Sequence, residues 1–592
     1  MKLSSYDLDP ETKINWKVFS LITPFLVEHR IRIGFALICL VASKGASVSA
    51  PFVLKHIIDD LSKDGVSDLL LVPLALIVAY GFARFSMILL GEIRDTIFGR
   101  VTERAMRQIG LKVFKHLHNL DLEFHLERRT GGLSRDIERG INGISFLMRF
   151  FVFNIVPTLL EIFLVAGLLF YNYGAPFAVI ILLAVMAYIS FSLATTDWRT
   201  QFVRQTAKAD SKANTICVES LLNYETVKYF SNEDYEAQRY DNSLERWESA
   251  KRKDRLSLLG LNSGQALIIA IAMVLLMWLA AERVQDETMT IGDFVLVNAF
   301  MVQLFMPLNF LGFVYREIKG WSANIENMFA LLAVEPKLDL NTNASDLELT
   351  RGVVSFDGVS FSYNKNRPIL REINFSMMPG QQTAIVGASG VGKSTLIKLL
   401  FRFYDPDSGR ILIDNQDIKK VNIDSLRRVV GIVPQDAVLF NDTILENIRY
   451  GCPDASEKDV SQAIDLAHLK DFIASLPEGL GTIVGERGLK LSGGEKQRVT
   501  IARTILKNPT IIIFDEATSS LDSKSESMIS AALRDISKNR TCIVIAHRLS
   551  TIVNADKILV LKDGFVSENG THSQLLALKG HYHELWKIQA RQ

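Results

Sequence analysis

Cysteine is scarce: the 592-residue chain holds four, Cys39, Cys217, Cys452 and Cys542, far apart and with no CxxC pair. That excludes a disulfide framework and a thiolate metal centre and reads as reduced, mostly buried thiols. A surplus of one charge is missing too. Lys and Arg number 66 against 65 Asp and Glu, so nothing points to nucleic acid as a partner. The first 25 residues have neither the form of a cleavable signal peptide nor the Arg-rich, acid-poor composition of a transit peptide. The first apolar span is therefore expected to serve as its own insertion signal, and a bacterial inner membrane is expected rather than an organelle.

What the chain does have is apolar length. A bilayer core needs about 20 apolar residues in a helix. Six stretches qualify: 31–54, 69–92, 147–171, 175–195, 257–281 and 291–315. Lys44 in the first and Arg84 in the second are costly in lipid and are expected to face a bundle interior or a water-filled cavity. Short loops join spans one to two, three to four and five to six. The other two connectors, at roughly 93–145 and 196–256, are long and basic, the former holding Arg94, Arg100, Arg104, Arg107, Lys112 and Lys115 among others. The positive-inside rule places both connectors, and both chain ends, in the cytoplasm.

The connectors contain few Gly or Pro and keep helical apolar spacing, as in VTERAMRQIGLKVFKHLHNL. That regularity speaks against charged surface loops. It predicts that the spans continue as helices into the cytoplasm and turn near EFHLERRTGG and LLNYETVKYF. These turns are the expected contacts with the second half of the chain. Around 335–348 the composition turns polar, and from Val353 short β-branched runs alternate with helical segments. The expected domains are a cytoplasmic segment 1–30, a six-span membrane domain 31–332, a linker 333–352 and an α/β nucleotide-binding domain 353–592.

QQTAIVGASGVGKSTLIKLL is a strand, a Gly-rich loop and an amphipathic helix, and it fits GxxxxGK[ST]. Gly387, Ala388, Ser389, Gly390, Val391 and Gly392 would turn backbone N–H groups toward the phosphates of ATP. Lys393 would bridge the β- and γ-phosphates, Ser394 would ligate Mg²⁺, and Thr395 follows at the helix N-terminus. NPTIIIFDEATSSLD adds a buried strand ending in Asp515 and Glu516, at the sheet edge where ligands bind in such folds. Asp515 would bind Mg²⁺ and Glu516 would polarise the attacking water. In LSGGEKQRVTIARTIL two glycines precede a helix, giving a second anion site free to serve another nucleotide.

At these motifs the chain resembles the ABC ATPase family over about 353–592. LSGGEKQR is similar to the family signature. The resemblance implies that Ser492, Gly493 and Gly494 close over the γ-phosphate held by a second copy, so that the working form is a homodimer. By the same resemblance Tyr363 stacks on adenine, Gln435 contacts Mg²⁺ and senses the γ-phosphate, Asp522 crosses the dimer interface and His547 bonds the γ-phosphate. Glu486 resembles the short exporter segment that touches the membrane-domain connectors. No element is degenerate, which implies two competent sites. Spans preceding the ATPase on one chain resemble the exporter class. The expected fold is thus an α-helical membrane domain of six transmembrane helices, type IV ABC exporter-like, followed by an α/β P-loop ATPase domain.

SLLNYETVKYFSNEDYEAQRYD, LLGLNSGQ, TTDWRTQF and GDFVLVNAFMVQLFMPLNFLGFVYREIK resemble the mitochondrial ABC transporter family, which includes bacterial relatives that export glutathione derivatives and confer heavy-metal tolerance. The resemblance implies a cavity holding a glutathione-derived small molecule, lined by Tyr188, Arg199, Asn262, Gln265, Asn298, Gln303 and Arg316. Asn262 and Gln265 lie three apart, as expected for one helical face, and Arg199 and Arg316 suit the carboxylates of an anionic tripeptide. The same polar residues could instead seal helix contacts. One departure stands out: Val203 occupies the position of a second arginine, with Arg204 displaced about 100° round the helix. The expected activity is ATP-driven export of glutathione-linked, sulfur-containing or heavy-metal-conjugate compounds. A lipid or multidrug exporter is the alternative, and a non-transporting ABC ATPase is disfavoured by the six spans.

Overall fold

The computed structural model describes residues 27–62, 71–127, 130–308, 311–338, 344–364, 367–515, 529, 531–534, 536–537, 540–546 and 552–590. They form two units, one of residues 1–120 with 127–335 and one of residues 121–126 with 336–592.

The first unit is helical. Its elements are α1 (Arg30–Leu61) and α2 (Leu71–Asn119), then α4 (Thr130–Phe150), a π-turn Phe151–Ile155 and α5 (Val156–Tyr173), with α3 (Leu122–Glu127) between α2 and α4 along the chain. There follow α6 (Ala175–Leu222), α7 (Tyr224–Tyr229), α8 (Glu233–Gln285), α9 (Ile291–Leu308) and α10 (Leu311–Leu332). Among the described residues five helices are long and apolar enough to cross a membrane, and Ile291–Phe305 is a shorter apolar helix. α2, α6 and α8 have 49, 48 and 53 residues. At ~1.5 Å per residue each spans over 70 Å, more than twice a bilayer core of ~30 Å. Spans and connectors are thus single helices, as the apolar spacing implied. The turns sit where the sequence placed them, at α3 and α7. The π-turn precedes Pro157, whose missing N–H cannot close a regular α-helical turn.

Lys44 is satisfied inside the bundle. Its Nζ lies 2.6 Å from Glu161 Oε2, and Glu161 is 2 % exposed. Arg84 is not enclosed by its own chain. It lies on the exposed face of α2, donating to Tyr80 Oη at 3.1 Å, because little of this chain packs against the apolar part of that helix. α6 and α8 pack antiparallel: Phe191 faces Gly264, Ser192 meets Gln265, and Arg199 meets Ser257 and Asp254. The buried face of α8 follows helical spacing through Ser257, Leu261, Gln265, Ala272, Leu276 and Ala280.

The second unit holds two sheets. Strands β1 (Val354–Asn364), β2 (Arg367–Met377), β4 (Ser408–Ile413) and β5 (Gln416–Asp417) form an antiparallel sheet in the order β2-β1-β4-β5. The other runs β10-β9-β3-β8-β7-β6, built from β3 (Gln382–Gly387), β6 (Val430–Val433), β7 (Ile511–Asp515), β8 (Thr541–Ile545), β9 (Lys557–Lys562) and β10 (Phe565–Gly570). All its pairings are parallel except β9–β10. β3 and β7 are apolar runs buried on both faces, as a covered parallel sheet requires. α11 (Lys393–Leu400) packs Leu396, Ile397 and Leu400 into the core between the sheets. α12 (Gly493–Lys507) lies in a second core with Val433, Ile512 and Phe514. α3 belongs with this unit: Asp121 accepts the backbone N–H groups of Lys337 and Leu338.

Asp414, at positive φ with Asn415 in the β4–β5 turn, ties down the start of β1. Its carboxylate accepts the N–H groups of Thr350, Arg351, Gly352 and Val353 at 2.8–3.0 Å. Burial opposes its ionisation, but these four bonds outweigh that and hold its pKa down at about 2.

Candidate functional site

The parallel sheet places three sequence-distant segments at one edge. Ile385 of β3 pairs with Ile545 of β8, Ile545 with Asp515 of β7, and Phe514 with Val433 of β6. Because these strands run in one direction, Gly387, Asp515 and Gln435 leave the sheet at the same carboxyl edge. Gly387 is required there: a Cβ would sit 2.5 Å from the backbone oxygen of Leu561. Gly392 caps α11 at φ +111, where a Cβ would meet Leu370 at 2.7 Å. Ala388, Ser389 and Gly390 are exposed at the loop crest, with Val391 tucked below. Lys393 is 7 % exposed and donates to Gly387 O at 2.8 Å and Ala388 O at 3.0 Å. Ser394 is exposed on the first turn of α11 and Thr395 is buried behind it.

Tyr363 stands at the end of β1, 40 % exposed, with its hydroxyl 3.3 Å from Thr395 Oγ1. Tyr404 meets it edge-to-face at 5.3 Å, and Lys398 Nζ lies 5.4 Å from its ring centroid. The ring is braced beside the phosphate loop with part of its surface open, the form of a stacking platform. Burial, then the neighbouring Tyr363, raises the Tyr404 pKa.

The signature segment differs in one detail from its sequence reading. Gly493 and Gly494 do not precede α12; they are its first turn. Ser492 is the N-cap, accepting from Glu495 N at 3.4 Å, while Glu495 Oε2 accepts from Ser492 N at 2.8 Å. The Ser-x-x-Glu capping box starts the helix earlier than the glycines suggested. Ser492 and Gly493 are exposed and Gly494 is buried. Glu486 opens a 3₁₀ turn, Glu486–Gly488. Glu516, Asp522 and His547 lie outside the described residues.

In the first unit the polar candidates whose side chains are described do not form one patch. Tyr188 is fully buried on α6 and its hydroxyl has no hydrogen-bond partner among the described residues. Arg199 is 1 % exposed; its Nε donates to Ser257 Oγ at 2.9 Å and its Nη2 to Asp254 Oδ1 at 2.8 Å, while Nη1 has no partner among the described residues. Gln265 is buried and donates to Ser192 Oγ at 2.7 Å, whereas Asn262 is exposed. Residues three apart sit about 60° apart round a helix, enough for the edge of the α6–α8 seam to fall between them. Asn298 is half-buried on α9. The Gln303 amide donates to Ser47 Oγ at 2.7 Å and also to Glu161. Arg316 lies on α10, and its side chain is outside what is described. Sequence reasoning missed Asp254, Ser257, Ser192 and Glu161 as neighbours of these candidates. The i, i+3, i+7, i+11 spacing of Asp254, Ser257, Leu261 and Gln265 was the available signal for the first two.

Residues 33–308 match the family described as ABC transporter transmembrane region, and residues 370–519 match ABC transporter. The mitochondrial iron-sulfur clusters transporter atm1 of Aspergillus fumigatus is 46 % identical over 590 residues, covering 98 % of this chain and 81 % of that protein. The chain belongs to the Atm1/ABCB7 family of ABC exporter half-transporters. The human member, the mitochondrial iron-sulfur clusters transporter ABCB7, is 46 % identical over 575 residues, 95 % of this chain and 76 % of its own. A bacterial Atm1-family ABC exporter solved with ATP bound is 44 % identical with a TM-score of 0.83, covering 95 % of this chain and 98 % of that one. The chain is therefore an ATP-hydrolysing exporter subunit of the membrane.

One expectation is overturned. A bacterial inner membrane was inferred from the composition of the first 25 residues, but the Aspergillus, Chaetomium and human relatives are mitochondrial transporters. The positive-inside pattern orients a protein relative to its ATPase side and carries no information on which membrane holds it.

Proposed function

We propose that two copies of this Atm1/ABCB7-family chain pair to export glutathione-linked or related sulfur-containing compounds, driven by ATP and Mg²⁺. The observation that carries the cargo reading is Arg199. A guanidinium buried to 1 % at the cytoplasmic end of span four, with one N–H edge lacking a partner among the described residues, is costly unless a ligand uses it. Curated relatives are named transporters of iron–sulfur clusters, and a thiol tripeptide adduct joins sulfur chemistry with peptide carbonyls that can accept from such a donor.

On the ATPase side the donor set fits a hard cation. The Ser394 hydroxyl, the Asp515 carboxylate and the Gln435 amide oxygen would supply three oxygen ligands beside one sheet edge. Mg²⁺ held there would neutralise charge on the phosphates. The chain's own groups do the rest. Backbone N–H groups of 387–392 and Lys393 position the phosphates, Tyr363 holds the base, and Glu516 accepts a proton from the attacking water. Ser492 and Gly493, exposed on the unit, complete the site of the other copy, so nucleotide holds two chains together until it is hydrolysed.

The test is ATPase stimulation of the full chain in lipid nanodiscs by oxidised glutathione, beside a responsive homologue. Dose-dependent stimulation is expected. No response here, with the homologue responding, removes the glutathione reading; stimulation by lipid alone favours a lipid exporter.

A further inference from the structure

Arg199 does not stand alone. Asp254, one helix away on α8, supplies a built-in counter-charge at 2.8 Å, and Ser257 fixes the geometry. The Ser257 hydroxyl donates to Asp254 O at 2.6 Å while accepting from Arg199 Nε, so its one proton and a lone pair are both used. Two of the three guanidinium nitrogens are thereby held by the chain itself. The third, Nη1, is buried and has no partner among the described residues. A buried Arg–Asp pair is close to neutral as a unit, so what it offers a ligand is a directed N–H donor rather than a net positive charge. Val203, one turn along the same helix, is apolar and adds no further cation there.

We propose that Asp254 is a specificity-determining residue of the transport site: it neutralises Arg199, so that the α6–α8 mouth selects ligands by a neutral acceptor, an amide or ester carbonyl or a zwitterion, and penalises extra negative charge. This rests on the reading of Arg199 as a cargo contact and deepens it. A ligand carboxylate approaching Nη1 meets the Asp254 carboxylate across the same guanidinium. Unlike the buried cation alone, the pair gives it no net attraction.

The experiment compares two probes in nanodiscs holding the full chain: oxidised glutathione, and its ester with the carboxylates blocked. The readout is the ratio of their half-maximal concentrations for ATPase stimulation. In Asp254→Asn the side chain can still accept from Nη2, but the negative charge is gone. The ratio is expected to shift on the order of tenfold toward the anionic probe. Should Asp254→Asn not yield a monodisperse protein, Arg199→Gln/Asp254→Asn leaves no lone buried charge. There both probes weaken together and the wild-type ratio is retained.

An unchanged ratio in Asp254→Asn, or a selective loss of the anionic probe in the double variant, overturns the proposal while leaving glutathione as cargo. If neither probe stimulates wild type or variants and a responsive homologue does respond, the cargo reading and this proposal fall together.

Discussion

Glu516 follows Asp515 directly out of β7, so the residue proposed to polarise water is one step from a residue whose place at the sheet edge is set by strand register. Removing its charge while keeping its shape separates binding from chemistry. Glu516→Gln is expected to retain ATP but to lose about 10²-fold or more in turnover, read by nucleotide retention beside phosphate release. Near-normal turnover would assign the base elsewhere. Asp414 makes a different residue-scale prediction. Its pKa is held at about 2 against an ordinary 3.8, so its ionised form favours the fold. That stabilisation is fully present above about pH 4 and fades as pH falls toward 2. The carboxylate is partly solvated, so the contribution is discounted to about 1 kcal/mol. Asp414→Asn should lower amide-exchange protection at Thr350–Val353 at neutral pH and remove the extra loss of protection that wild type shows between pH 4 and 2. Equal protection in both proteins at pH 7 would show that the four bonds do not need the charge.

At the scale of elements, what could be read in advance depended on locality. The phosphate loop, the Asp515 strand and the long helical connectors follow from spacing within one segment, and their positions matched. The capping box at Ser492 and Glu495 was also local, but the glycines masked it. The α6–α8 seam was not legible, because Arg199 and Asp254 are 55 residues apart and nothing in either segment names its partner. The seam is close-packed at Gly264, where a Cβ would lie 2.2 Å from Phe191 Cζ. Gly264→Ala therefore forces the Phe191 ring to move, at about 1–3 kcal/mol. Gly260, on the same helix, has nothing within 4 Å of its would-be Cβ, so Gly260→Ala serves as control. A thermal midpoint lowered by several degrees in the first variant alone is expected in detergent-solubilised protein. A rise of equal size in both would reflect the better helix propensity of Ala and show that the seam is not close-packed at Gly264.

For the whole molecule, the exposure of Ser492 and Gly493 carries the argument. Capping their own helix occupies the Ser492 hydroxyl as acceptor, but leaves the first-turn N–H groups of α12 at the surface, where a nucleotide held by another copy can use them. If each site combines one chain's phosphate loop with the other's signature turn, two differently damaged chains must rescue each other. Lys393→Ala breaks the phosphate loop and keeps the signature; Gly493→Asp places a negative charge where the γ-phosphate is read and keeps the phosphate loop. Each variant alone should be inactive. A mixed pair holds one site with both halves intact. With random assortment half the pairs are mixed and half their sites are whole, so ATPase activity should return to about one quarter of wild type for independent sites. Co-expression with distinct affinity tags isolates the mixed pairs, where the expected value rises to about one half. If the sites fire only together, turnover stays low, yet each mixed pair still binds one ATP between its chains. Mixed pairs that neither hydrolyse nor bind in this way would mean that each chain builds its site alone, and the pairing proposed for this exporter would fail with it.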